Sequence, residues 1–208
     1  MLDDHDLPSI DALAERIMRA RVLDRNVAAH CVTLGELVTY LAALEDAGGA
    51  KPGDRIEHGG IIAADLIPTI ARAGLTVVTQ PNFIHDRGDR YAATVDPNDL
   101  PDLYRLRSLI AGGVSVLGGS DAPYGSLNPW AAMRAARDRL TAGGRVIGAE
   151  EAVASADALG LYTGSDIQVG GVADFCLLDC GWEKALADLS ADHVAATFVG
   201  GTLCQTGR

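Results

Sequence analysis

Apolar and polar positions along this chain follow two alternating rhythms. Short apolar runs recur, and between them lie longer stretches whose apolar residues fall at helical spacing. Ser9 is placed to cap a helix reaching about Leu23, with Ile10, Leu13, Ala14, Ile17 and Met18 on one face. "NVAAHC" then reads as a strand, "LGELVTYLAALEDAGG" as a helix stopped by a glycine pair, and "DRIEHGG" as a second strand. "DLIPTIARAG" is helical, with Pro68 tolerated in its first turn, and "LTVVTQP" is a third strand. "FIHDRGDRYAATVDP" reads as a polar loop. "LPDLYRLRSLIAGG" holds a helix and "VSVLGGSD" is a fourth strand. "NPWAAMRAARDRLTAGG" is a helix with Asn128 as cap and Pro129 at its first position, and "GAEEAVASADALG" is one more.

Strand and helix therefore alternate four times, the pattern of parallel strands covered by helices. After Gly164 the pattern changes. "VADFCLLD" reads as a strand, and "HVAATFVGGTLC" as a hairpin turning at Gly200-Gly201. This predicts an α/β unit over residues 1–164 and a small β appendage over residues 165–208.

Composition narrows the class. A chain of 208 residues, 48% hydrophobic and 22% charged, suits one globular domain or a domain with an appendage. Its net charge of −11 argues against nucleic acid and anionic membrane surfaces as partners. Four cysteines with no CxxC pair suggest reduced thiols. The acidic start "MLDDHDLPSI" does not resemble a signal peptide, and no apolar run approaches the ~18 residues of a membrane span. The expected location is the cytoplasm.

The strand ends carry the candidate chemistry. The first strand ends at His30, the second at His58, the third at Gln80 and the fourth at Asp121. In parallel α/β sheets and barrels, ligands bind at the carboxyl ends of strands. The interval 58 − 30 = 28 residues fits one βα unit of a barrel, about 30 residues when ~250 are divided by eight. Two histidines and an aspartate at neighbouring carboxyl ends point to a divalent metal, with zinc favoured by the donor types. Each residue alone has an ordinary explanation: a hydrogen-bonded core histidine, or a turn aspartate before a helix cap. Gly118 and Gly119 would let backbone approach the site, and Pro123 would stiffen the turn holding Asp121.

The segments "VAAHC", "RIEHGG", "TQPNF" and "GSDAP", followed by "ADFCLLD" and "VAATFVGGTL", resemble the C-terminal half of the amidohydrolase superfamily, in the amidohydrolase family 3 branch. The likeness runs from about Asn26 to Leu203. It implies the second half of a (β/α)8 TIM-type barrel, with a small β-sandwich appendage. It also implies that His30, His58 and Asp121 bind metal at the ends of the fifth, sixth and eighth barrel strands. Asp121 would serve as general base while hydroxide on the metal attacks an amide-type substrate and breaks its C–N bond. Gln80 would at most touch substrate.

The departure from the family pattern is as informative. The family's first strand supplies an HxH pair and its fourth often a lysine, and this chain has no HxH. His5 in "DDHDLP" reads as a solvated tail residue. The expectation is a chain that starts after the fourth barrel strand. A second hypothesis follows: a non-catalytic fragment, or a subunit whose partner half-barrel supplies the HxH ligands. A deaminase of the same superfamily would need an acid/base glutamate by the pocket, and none can be placed.

Further substrate contacts fall in the segment after the third strand, where His85, Arg87, Asp89 and Tyr91 could line a pocket, and at Tyr124. A solvated loop is the plainer reading of that segment. Strand alternation from His58 points Glu57 towards the helix layer, as a paired structural charge. Trp130 reads as helix packing. Ala28, Ile56 and Leu117 are expected to face the barrel interior.

Overall fold

Four parallel strands form where the four apolar runs lie, in the order β1 (Ala28–Cys31), β2 (Arg55–His58), β3 (Thr76–Thr79) and β4 (Ser115–Gly118). The computed structural model describes residues 7–164 and 167–206, so His5 lies outside the described residues. Helices α1 (Ile10–Val22), α2 (Leu34–Asp46), α3 (Ile67–Ala73) and α5 (Arg107–Ala111) pack on one face of the sheet. Their core joins Ile17, Leu37, Tyr40 and Ile70 to the strand residues Ile56 and Val77, all at most 1% exposed.

Local signals explain where helices begin. The Ser9 hydroxyl accepts from the Ala12 N–H at 3.2 Å. Thr33 and Glu36 form a reciprocal capping box at the start of α2. In α6 (Pro129–Asp138) the Asn128 side chain accepts from the Trp130 N–H at 3.0 Å. Trp130 is buried in a core with Leu106, Met133 and Ala158, the packing role its sequence position suggested.

A buried ion pair fastens the feet of β1 and β2. Asp54, fully buried just before β2, accepts a bidentate pair from Arg21 of α1 and the N–H groups of Val27 and Lys51, each at 2.8 Å. Burial by itself would raise its pKa. The guanidinium and the two backbone donors outweigh it and hold the carboxyl below its ordinary value.

Strand register corrects two expectations. Ala28 pairs with Arg55, His30 with Glu57, Glu57 with Val78, and Val78 with Leu117. Glu57 therefore shares a face with His30, not with the helix layer, and forms an ion pair with Arg55 at 2.5 Å. Ile56 lies on the opposite face from Ala28 and Leu117, inside the helix-packed core. Alternation counted back from His58 fails because His58 leaves the strand with φ +71°, which turns its side chain away from the direction the pleat would give.

The face bearing Ala28, His30, Arg55 and Leu117 is uncovered; Leu117 is 43% exposed. Parallel sheets normally bury both faces.

The stretch expected as a loop after β3 is the helix α4 (Asn82–Thr94). Its Gly88 is a contact glycine: a Cβ there would lie 2.5 Å from Thr141 Cγ2. Helix α7 spans Ser155–Gly160. Beyond it, β5 (Phe175–Leu178), β6 (Val194–Val199) and β7 (Thr202–Thr206) form an antiparallel sheet in that order. The β6–β7 turn is Gly200-Gly201, with φ +55° and +76°, the pair of positive values a two-residue turn of type I′ requires. Helix α8 (Trp182–Asp188), which the hydrophobic pattern did not announce, connects β5 to β6.

Candidate active site

The carboxyl ends of the strands open into a cleft of about 370 Å³. His30, His58 and Asp121 all line it. The imidazoles of His30 and His58 stand edge to face with centroids 4.5 Å apart. Gln80, 3% exposed at the end of β3, faces His58 Nδ1 through its Oε1 at 2.8 Å. An amide oxygen can only accept, so Nδ1 carries the proton of this bond, and in the neutral ring the Nε2 lone pair is the one left for a metal. Gln80 in turn donates through Nε2 to the Val78 carbonyl at 3.3 Å, which fixes which end of the amide is oxygen.

This donor set suits a divalent metal. Metal-binding imidazoles characteristically give their second N–H to an acceptor, as His58 does to Gln80. His30 presents a largely exposed ring to the cleft, with Glu36 Oε1 3.9 Å from its Nε2. Asp121 sits on a turn where it adopts φ +52°. The donor atoms of these three residues do not all come within 4.8 Å of one another. Among the described residues only Asp179, Cys180 and His193 do so. In that second cluster both ring nitrogens of His193 already face carboxylates, Asp188 at 2.9 Å and Asp179 at 3.4 Å. It lies at the β5–β6 junction.

The glycines of "GGSDAPYG" now have a reason. A Cβ on Gly118 would sit 2.3 Å from the Tyr162 ring, so only glycine lets β4 pass beneath it. Gly119 donates to the Thr79 carbonyl at 2.8 Å, which extends the β3–β4 ladder to the edge of the cleft.

Helix α4 builds one wall. Phe83, Arg87, Arg90, Tyr91 and Thr94 line the cleft, a spacing that puts them on one helical stripe. Arg87 lies under Tyr124, with its guanidinium carbon 3.5 Å from the ring centroid, and donates to the Tyr124 carbonyl at 2.8 Å. Arg87, Tyr91 and Tyr124 line the cleft with His30, His58 and Asp121. His85 does not: it is absent from the cleft lining, and its Nδ1 meets the Leu140 carbonyl at 3.2 Å. Asp89 is also elsewhere. It accepts from Thr141 Oγ1 at 2.6 Å and the Gly143 N–H at 2.8 Å. Phe83, Arg90 and Tyr104 line the cleft but were missed. The first two were visible as helical spacing in "FIHDRGDRYAAT", had its charges not suggested a loop.

The sequence matches the amidohydrolase family over residues 3–205, and the chain belongs to that family. It is 28% identical over 203 residues to an N-substituted formamide deformylase of Arthrobacter pascens, covering 89% of this chain and 38% of that protein. Its fold superposes on an uncharacterized metal-dependent hydrolase from Pyrococcus furiosus with TM-score 0.64 and 26% identity, over 75% of this chain and 31% of the other. Ochratoxinase from A. niger shares the fold at TM-score 0.59 and 19% identity, over 97% of this chain and 46% of the other. The chain thus spans less than half the length of each of these relatives.

Proposed function

We propose that this chain is the catalytic-half portion of a metal-dependent amidohydrolase that hydrolyses the C–N bond of an amide-type small molecule. The observation that carries this is His58, held by Gln80 with Nε2 free and packed against His30, in a cleft that Asp121 also lines. His30, His58 and Asp121 are the proposed ligands, and zinc the proposed metal. When bound, the metal supplies Lewis acidity that polarises the carbonyl and acidifies water to a pKa near ~7. Asp121 takes the proton of the attacking water on a carboxylate oxygen and returns it to the leaving nitrogen. Gln80 keeps the His58 ring in one tautomer and orientation. Arg87 and Tyr124 contact the substrate at the α4 wall.

The proposed architecture is half of a (β/α)8 barrel over residues 1–164, with a small β-sandwich appendage over residues 165–208. The uncovered sheet face supports a second reading, in which a partner half-barrel completes the wall and brings the HxH ligands. All four cysteines are free, in keeping with a reducing cytoplasm. Among the described residues no helix is long and apolar enough to cross a membrane.

An amide-hydrolysis assay with added zinc tests both readings. The chain alone is expected to be inactive towards N-acyl amines. Mixed with a half-barrel polypeptide bearing an HxH strand, it gains turnover that Asp121→Asn abolishes. Turnover that survives Asp121→Asn would refute the assigned base.

A further inference from the structure

We infer that the cleft recognises an anionic group on its substrate through Arg87 and Arg90 of α4. This rests on the reading of the cleft as the amide-hydrolysis site and names the kind of amide it takes. Both residues line the same cleft as His30, His58 and Asp121. Among the described residues neither forms an ion pair with a carboxylate. Among the described residues Asp121 is the only carboxylate in the cleft lining. In a chain of net charge −11, two arginines on one cleft wall with no carboxylate partner among the described residues are conspicuous. They are three residues apart on one helix, a spacing at which like charges repel, and an anion between them would relieve that repulsion.

Arg87 is also pre-positioned. Its guanidinium is stacked 3.5 Å from the Tyr124 centroid and lies 5.4 Å from that of Phe83. One terminal nitrogen is committed to the Tyr124 carbonyl at 2.8 Å, while its Nε is buried without a partner. A side chain held in this way loses little freedom on meeting a ligand, and its planar fork suits a carboxylate. Arg90 is exposed beside it and free to close on the same anion. Phe83, Tyr91 and Tyr104 give the cleft an apolar, aromatic wall. The substrate class that fits is an amide bearing a carboxylate and an apolar or aromatic group.

Isothermal titration of the full chain with N-acetylphenylalanine and its uncharged analogue N-acetylphenylalaninamide tests this, with zinc and again with EDTA. Charge-assisted bonds predict about tenfold or tighter binding of the carboxylate. Arg87→Gln with Arg90→Gln should erase the preference for the carboxylate over the amide. Arg90→Gln alone, at an exposed position, should lower carboxylate affinity several-fold while leaving the circular dichroism spectrum unaltered. Equal affinities, no binding of either probe, or a preference that survives the double substitution would overturn the inference. A preference that vanishes with EDTA but not with the arginine substitutions would assign the carboxylate to the metal: the subsite falls and the metal reading stands. A preference that persists in EDTA, in a chain that binds no zinc, would keep the subsite and sink the metal reading.

Discussion

Replacing Asp54 with alanine should destabilise this protein more than almost any other single substitution. The carboxylate is fully buried and takes four hydrogen bonds, two from Arg21 and one each from the Val27 and Lys51 N–H groups. Its loss leaves two backbone donors unsatisfied and strands Arg21, whose side chain is only 10% exposed. Removing one partner of a buried pair costs about 3–5 kcal/mol, against a total stability of about 5–15 kcal/mol for a domain. The effect must also depend on pH. The folded-state pKa of Asp54 is lowered, so its contribution is full above the unfolded value of about 3.9 and fades as pH falls through the folded value. Urea unfolding followed by circular dichroism at pH 7 and near pH 3 reads both effects. The difference between wild type and Asp54→Ala should be several kcal/mol at pH 7 and shrink at the lower pH. A difference under about 1 kcal/mol at pH 7, or one that does not change with pH, would refute the account of this pair.

Three other outcomes follow from named contacts. Arg139→Leu orphans the carbonyls of Ile147, Tyr104 and Leu103, which the fully buried arginine now satisfies; at about 1 kcal/mol or more each, the midpoint in a urea titration should fall sharply. Gly118→Ala drives a methyl into the Tyr162 ring and should cost about 1–3 kcal/mol by thermal unfolding. Leu117→Asp, on the uncovered sheet face, should move the chain from associated species towards monomer in size-exclusion chromatography; a wild-type chain that already elutes as a monomer would contradict the role given to that face.

Much of the fold was readable because its signals are local. Short apolar runs, the Ser9 cap, Asn128-Pro129 and the Gly200-Gly201 pair each act within a few residues. The misreadings came from interactions that are not local. Helix α4 carries charges and a glycine because one of its sides faces a cleft and Gly88 packs tightly against Thr141; its polarity belongs to a site and was taken for solvent exposure. Glu57 was placed on the wrong face because alternation was counted from His58, and the pleat breaks at that residue's positive φ. Gln80 faces His58, a pairing across two strands that spacing cannot reveal. His85 and Asp89 are turned towards the segment after α6 by the helical rotation that brings Arg87 and Tyr91 to the cleft.

The central claim is that His30 and His58, not the cluster at Asp179, Cys180 and His193, hold the metal. Equilibrium dialysis against zinc, with bound metal counted by mass spectrometry, compares the wild-type chain with His30→Ala, His58→Ala and His193→Ala. Zinc bound by the wild type and by His193→Ala, and lost from the other two, is the result this structure predicts. Zinc retained by His58→Ala and lost from His193→Ala would contradict it.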